Sequence, residues 1–515
     1  MPDYDVAIVG YGPTGMTLAA LLGQLGRRVV VLERYTGLYN LPRAACFDDE
    51  IMRTFQKLGL VEEISRGAEV QPGYEWINGA GETLVEFQYD NPAPGGWAAL
   101  YMMFQPYIEA VLDRCDKSLP TVEVRQGVTV SGIEQDQDTV TLRGTDANGE
   151  GEAASVRARY AVGADGGNGF TRRIFGERID DYGFQENWLV CDFRLRGTVL
   201  PPRFRQVCDP AQPIAIVNIG PGYHRFSFML DPDETAERAT RHEGVWSRVA
   251  RYLKKDDAEI IRVANYVFRS RIVKQWRHGR VFLAGDAAHE MPPFLAQGMC
   301  SGIRDSHNLA WKLDLVLAGR TGDMLLDTYQ PEREPHVRFI TEKAIELGRV
   351  QTMRDPVKAR ERDERLFAQR RAQKGPEKLR YPGLKGGLVS GSGEFFPQGR
   401  VRLNGREALF DDIVGPGWSM IANDPAVLEA LPASQRDAWK ALGGKIAAVA
   451  AVPGAGVLED LDGTYRAWFA AHSCSVAVVR PDWYLYGTAR NGRELTALLE
   501  KLTQSLQRQP AHAAA

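Results

Sequence analysis

The sequence predicts an α/β protein: a Rossmann-like domain, an antiparallel sheet inserted into it, and a further unit at the C-terminal end. Three observations predict this. A continuous apolar run, Tyr4 to Val9, enters Gly10-Tyr11-Gly12-Pro13-Thr14-Gly15 and then an apolar helix, as a strand buried on both faces would. A second buried strand, Val281 to Gly285, returns to that character much later in the chain. Between them, Phe184 to Phe268 reads as longer strands of alternating character, the pattern of half-buried strands.

The elements follow in order. Met16, Leu18, Ala19, Leu21, Leu22 and Leu25 supply the apolar side of the first helix, and Gly26 is its C-terminal stop. Arg28 to Glu33 is the next strand, which completes a βαβ unit with a right-handed crossover. Asp138 to Arg143 and Ala153 to Arg159 flank Asp146-Ala147-Asn148-Gly149, a hairpin signal. Tyr160 to Asp165 is another short strand that ends on a glycine-rich turn. One helix near Val245 to Leu253 interrupts the alternating region, and helices are expected at roughly Cys300 to Leu317 and Leu325 to Val350. Met353 to Lys378 is crowded with charge and reads as a solvated helix or linker. Beyond Gly391, strands near Ser419 to Asn423, Ala447 to Val452 and Ser475 to Val479 mark the last unit, which ends in a short alanine-rich tail. The expected boundaries are 1–183 and 276–350 for the two parts of the first domain, 184–275 for the inserted sheet, 351–398 for the charged linker and 399–515 for the last domain.

Composition narrows the function. The 515 residues leave room for about three domains of roughly 150 residues. A net charge of -3 argues against a nucleic-acid or anionic-membrane surface, which needs a basic field. The first residues show no basic and apolar leader, and no apolar run approaches the ~20 residues that span a bilayer, so a cytoplasmic protein is expected. Cys46, Cys115, Cys191, Cys208, Cys300 and Cys474 lie apart with no CxxC or zinc spacing, which fits reduced thiols and predicts no metal.

The glycine motifs carry the chemistry. Gly10, Gly12 and Gly15 stand between a strand and a helix, where they permit a tight turn, backbone approach to a diphosphate and close helix packing. The helix N-terminus offers free amides and partial positive charge to that diphosphate. Glu33, at the end of the second strand, is placed to accept ribose hydroxyls. Asp286 follows Gly285 at the end of a strand, where the residues alone allow a helix cap. Gln297-Gly298-Met299-Cys300-Ser301-Gly302 opens a long helix whose amide end can stabilise negative charge, with Cys300 as a packing residue. No second GxGxxG stands between a strand and a helix, so a second resident nucleotide is not expected.

Gly10–Gly15, then Asp165-Gly166 with Arg172, then Gly285-Asp286, in this order, resemble the FAD-binding set of single-component flavoprotein aromatic hydroxylases, the class A monooxygenases. The resemblance implies a resident FAD, transient NADH or NADPH, and dioxygen as co-substrate. It places Asp286 on the ribityl chain, Asp165, Gly166 and Arg172 near FAD and the visiting nicotinamide, and Arg43 and Gln105 beside the cofactor. The family's usual serine in the middle motif is Gly169 here. Pro42-Arg43-Ala44 with Asp48-Asp49-Glu50, Asp305 to Leu313, and Val478-Val479-Arg480-Pro481-Asp482 are similar to the 3-(3-hydroxyphenyl)propionate hydroxylase group. That group implies a thioredoxin-like last domain. With Cys474 alone and no CxxC, it would serve packing or a homodimer contact rather than dithiol chemistry.

The implied reaction is hydroxylation of a phenolic ring, ortho to an existing hydroxyl, through a flavin hydroperoxide. A base or acceptor for the phenol is desirable. The candidates are His289, Asp48 and Tyr266, although Asp48 and Asp49 also read as caps of a helix beginning near Glu50. Tyr223, Phe226 and Phe268 alternate on predicted strands and are candidate pocket residues, as is Pro293 in Met291-Pro292-Pro293-Phe294; core packing is the competing role. Arg225 and Arg269 are possible partners for an acidic substrate. A hydroxylase of polycyclic polyketides or antibiotics, or a FAD-dependent reductase or oxidase, would share the same fingerprints.

Overall fold

The computed structural model describes residues 2–146, 151–176, 178–197, 200–375, 379–450 and 456–507. The centre of the hairpin turn expected at Asp146 to Gly149, the end of the strand expected at Ala447 to Val452, Lys378 and the alanine-rich tail fall outside those residues.

The first sheet runs in the order Arg277–His278, Val281–Leu283, Glu152–Gly163, Tyr4–Val9, Val29–Glu33, Val122–Gln126. From Val281–Leu283 to Val122–Gln126 every neighbouring pair is parallel. Val6, Ala7 and Ile8 are fully buried, as a parallel strand covered by other elements on both faces requires. The hairpin expected around residue 146 forms between Val140–Asp146 and Glu152–Gly163. In the register, Val9 lies opposite Gly163, and Gly163 opposite Leu283. Three strands from distant parts of the chain therefore end side by side. The glycine motifs that follow them converge at the carboxyl edge of one sheet, where open α/β sheets bind ligands.

The second sheet is ordered His289–Glu290, Ala258–Val273, Ile179–Leu195, Tyr223–Met229, Ile214–Asn218, Phe204–Val207, Gly73–Ile77, Thr83–Gln88. All its pairings are antiparallel except Phe204–Val207 with Gly73–Ile77. It thus draws strands from residues 73–88 and 289–290 as well as from the alternating region. One face packs Phe193, Phe226 and Phe228 against the helix His242–Val249. The other faces the first domain across a cleft. The charged stretch forms a helix, Pro356–Arg371, capped by the Asp355 carboxylate, which accepts the Val357 and Lys358 amides.

In the last domain Ser419–Ala422 pairs parallel with Lys445–Ala450 and antiparallel with Val476–Val479, which turns back into Leu485–Ala489 before the helix Gly492–Gln507. This βαβ unit followed by a hairpin and a helix is the thioredoxin-like order. The domain is not tethered loosely. Trp418 meets Trp311 of the helix Gly298–Leu317 edge to face at 5.6 Å, and one apolar core runs across the junction. Among the described residues no helix is long and apolar enough to cross a membrane.

Candidate functional site

A cleft of about 3320 Å³ opens along the edge where the three motifs meet, between the first and second sheets. Gly10 has a backbone φ of +102°, and a Cβ there would stand 2.5 Å from the Ala164 carbonyl oxygen, so the first motif abuts the strand end that carries the second. Pro13–Gln24 begins beside it with no side chain capping its N-terminus, which leaves its first amides open to the cleft. Glu33 borders the cleft and accepts the Tyr11 and Tyr35 backbone N–H groups at 2.7 and 2.9 Å. Those two bonds fix the carboxylate and leave it lone pairs for a diol.

Gln105 is 2% exposed and its side-chain oxygen accepts the amides of Arg43 and Ala44, while its nitrogen donates to Glu109 at 2.7 Å. It anchors the loop that extends the half-exposed Arg43 side chain into the cleft. The loop is held from the other domain as well. Arg225 pairs with Asp192 through two bonds of 2.6 and 3.0 Å and donates to the Pro42 and Arg43 carbonyls. Arg262 also donates to the Pro42 carbonyl. Arg225 is therefore already satisfied by internal partners. Arg269 borders the cleft and is exposed.

At the second motif, the Asp165 carboxylate turns inward and accepts the Thr171 backbone and hydroxyl. Burial holds its carboxyl above the usual range despite those bonds. A Cβ at Gly169 would stand 2.2 Å from Asp165 Oδ1, so the place of the family's serine is filled by the Asp165 side chain. Gly166 lines the cleft; Arg172 is buried and pairs with Glu290 at 3.0 Å.

At the third motif, Asp286 is exposed to the cleft and has no hydrogen-bond partner among the described residues. Desolvation by the protein around it pushes its carboxyl up, and His289 works against that rise. Gly298 and Met299 border the cleft at the start of Gly298–Leu317, again with no side-chain cap. Cys300 is fully buried, and burial drives its thiol far up, which suits packing rather than reaction. These features fit a dinucleotide flavin: two uncapped helix N-termini, one fixed diol acceptor and one unpartnered carboxylate around a single large cleft.

Of the tentative catalytic residues, Asp48 and Tyr266 border the cleft and His289 does not. His289 is fully buried, does not border the cleft, and lies 2.6 Å from Asp305. Asp305 also accepts the Gly285 amide at 3.0 Å and Arg333 at 2.8 Å. Burial disfavours the Asp305 charge, but His289 and Arg333 outweigh it and hold the carboxyl low. His289 thus braces the third motif from behind. Asp48 caps the helix Asp49–Leu58 through the Ile51 amide and pairs with Arg304 at 2.5 Å, which agrees with the capping role weighed from the sequence. Tyr266 does border the cleft, with its hydroxyl accepting Arg262.

Of the candidate pocket residues, Phe268 and Pro293 line the cleft and Tyr223 and Phe226 do not. Phe226 shares a strand with Arg225 and Ser227, which do line it; its own side chain takes the opposite face and is fully buried. Tyr223 has the right parity but lies at the strand's end, stacked on Phe104 at 3.7 Å. Trp188, opposite Tyr266 in the register, and Phe294 complete the aromatic wall. Asp49 was read from sequence only as a cap. It borders the cleft, accepts the Gly95 amide at 2.6 Å, and is pushed up to about 7 by burial and then by the charge of Asp48.

A family model described as the FAD binding domain matches residues 3–344, and one described as the HcaD C-terminal domain matches residues 393–505. The chain is 58% identical to a probable NADH-specific resorcinol 4-hydroxylase of Rhodococcus jostii (strain RHA1), over 98% of this chain and 95% of that protein. It is 36% identical to a 3-(3-hydroxy-phenyl)propionate/3-hydroxycinnamic acid hydroxylase of Mycobacterium sp. (strain JLS), over 94% of this chain and 89% of that one. Among solved structures, the flavin-dependent monooxygenase PieE with FAD and substrate matches with a TM-score of 0.81 at 22% identity, covering 98% of this chain and 100% of that one. Aklavinone-11 hydroxylase with FAD and aklavinone matches at 0.80 and 23%, covering 98% and 99%. At those identities the two structures speak for the fold.

Proposed function

The chain belongs to the family of FAD-dependent aromatic hydroxylases, and from that membership we propose that it hydroxylates a small phenol of the resorcinol type, ortho to a ring hydroxyl, with NADH and dioxygen. The observation that carries this reading is a cleft that joins the FAD motifs to an aromatic wall of Trp188, Phe268 and Phe294, with the Tyr266 hydroxyl set beside it. The 58% identity to a protein named as an NADH-specific resorcinol hydroxylase supports both the substrate class and the preference for NADH.

When bound, FAD supplies hydride acceptance from the nicotinamide and the activation of dioxygen. The chain's own residues do the rest. The open amides before Pro13–Gln24 and the Arg43 loop would hold the diphosphate region, Glu33 the adenosine ribose, and Asp286 the ribityl hydroxyls. The uncapped N-terminus of Gly298–Leu317 would offer its partial positive charge to the pyrimidine end of the ring and favour its reduced, anionic form. The aromatic wall and Pro293 orient the phenol and keep water from the reacting centre. Tyr266, whose oxygen accepts Arg262, would donate its own O–H to the ring oxygen and stabilise the phenolate, the more nucleophilic form of the ring. A cytoplasmic location fits the six free cysteines.

The test is a panel of resorcinol and 3-(3-hydroxyphenyl)propionate, each with NADH and with NADPH, on the flavin-loaded protein. The proposal expects resorcinol to speed NADH oxidation most and Tyr266→Phe to reduce that stimulation. Equal or faster turnover of the propionate substrate, or no response to any phenol, contradicts it.

A further inference from the structure

Five consecutive residues of the last domain, Arg480 to Tyr484, are buried in the folded chain, and four of them grip the FAD-binding domain through their side chains. Arg480 donates to Glu332 at 2.9 and 2.7 Å, and Lys312 reaches the same carboxylate at 2.7 Å. Asp482 accepts Asn308 and the Trp311 indole at 3.1 Å each. Trp483, held at a φ of +62° that side chains rarely adopt, covers the Arg53 guanidinium at 4.6 Å and meets His307 edge to face at 4.4 Å. His307, Asn308, Trp311 and Lys312 all belong to Gly298–Leu317, the helix whose first turn borders the cleft.

The last residue of this turn reaches further toward the cleft. The Tyr484 hydroxyl donates to Glu50 at 3.1 Å. Glu50 accepts Arg304 Nε at 2.6 Å; the same guanidinium donates to Asp48 at 2.5 Å and to the side chain of Gln297 at 2.8 Å. Gln297 is the residue at which Gly298–Leu317 begins. Tyr484, Glu50, Asp48, Arg304 and Gln297 are each less than 9% exposed. Each of the three guanidinium nitrogens of Arg304 makes one of these bonds. Burial lifts the Glu50 carboxyl above its usual range, and Arg304 beside it offsets only part of that rise.

We propose that Tyr484 is a positioning residue through which the last domain sets the N-terminus of Gly298–Leu317 against the flavin, by way of Glu50, Arg304 and Gln297. This rests on the reading that the helix faces the pyrimidine end of FAD. The dithiol chemistry that a thioredoxin-like domain can host is missing here, and the domain instead acts as a brace on the charge environment of the cofactor. A helix N-terminus held in place favours the reduced, anionic flavin over the oxidised, neutral one. Loosening it costs affinity for the reduced form first.

The experiment compares wild type, Tyr484→Phe, Glu50→Gln and the double variant as holoenzymes, reading the affinity for reduced FAD relative to oxidised FAD from the potential of the bound cofactor. Tyr484→Phe should lower that ratio by about fivefold, the change a single buried hydrogen bond carries. In the Glu50→Gln background it should have no further effect. Tyr465→Phe, which removes the hydroxyl that accepts the Gly399 amide inside the last domain, is the stability-matched control. An unchanged ratio in Tyr484→Phe, an equal change in Tyr465→Phe, or additive effects of the two relay variants each overturn the proposal. A wild-type protein that binds no FAD would instead overturn the functional reading beneath it.

Discussion

Gly10 and Gly12 sit two residues apart in one motif, and the structure assigns them opposite kinds of failure. At Gly10→Ala the new Cβ would lie 2.5 Å from the Ala164 oxygen, 2.7 Å from its carbonyl carbon and 2.8 Å from Asp165 Cα. All three are backbone atoms, so no rotamer change relieves the contact. The φ of +102° adds its own cost for a side chain. Backbone strain and overpacking together amount to about 2–5 kcal/mol, lost from the protein without any ligand. At Gly12→Ala, φ is -89° and the nearest heavy atom to the new Cβ is Arg43 Nη2 at 3.8 Å. The apo fold should change by less than about 0.5 kcal/mol. The methyl group would instead enter the cleft space that the proposed function gives to the diphosphate, and FAD affinity should fall by ~1–3 kcal/mol, about fivefold to a hundredfold. Urea unfolding of the apo proteins and FAD titration followed by flavin fluorescence separate the two effects. If Gly12→Ala keeps wild-type FAD affinity, or loses stability as Gly10→Ala does, the placement of the diphosphate at this turn is wrong.

Three further outcomes follow from the same geometry. Asp286→Ala, which removes a carboxylate exposed to the cleft, should weaken FAD retention on gel filtration and leave the apo unfolding midpoint in place; unchanged retention would count against its ribityl role. Asp49, pushed up to about 7, keeps in the folded state a proton that the unfolded chain releases near pH 4, so its contribution to stability is whole below that pH and is lost as pH rises through about 7. Asp49→Asn should therefore shrink the loss of stability between about pH 5 and about pH 8 by roughly 1–2 kcal/mol, a figure reduced for its partial exposure to the cleft, and an identical pH slope in variant and wild type would refute the assignment. Glu332→Gln leaves Arg480 and Lys312 without their shared buried counter-charge and should cost about 3–5 kcal/mol in thermal unfolding, whereas a change below about 1 kcal/mol would mean that the domain junction does not depend on this pair.

The FAD edge was legible because each motif is local: a strand, a glycine turn and a helix start within a dozen residues, and the spacing alone carries the geometry. Gly10, Glu33 and Asp286 all border the one cleft. The substrate wall was less legible for a specific reason. Alternation says that Arg225 and Ser227 share one face and Phe226 takes the other, but not which face meets the cleft, and hydrophobicity pointed to the wrong one. His289 and Asp48 were drawn toward catalysis by residue type alone. Their partners, Asp305 and Arg304, are consecutive on one helix, and Arg304 is far from Asp48 in sequence, so the clamps they form needed the tertiary structure. The contribution of residues 73–88 to the second sheet was hidden for the same reason, since its parallel pairing with Phe204–Val207 is non-local.

The central claim is that this cleft couples NADH oxidation to insertion of oxygen into a phenol ring. Isotopically labelled dioxygen tests it most directly, with the holoenzyme, NADH and resorcinol, and the product mass read against NADH consumed. The account predicts one labelled oxygen atom in a trihydroxybenzene product for each NADH oxidised. Consumption of NADH that yields only hydrogen peroxide, with the phenol recovered unchanged, would contradict it.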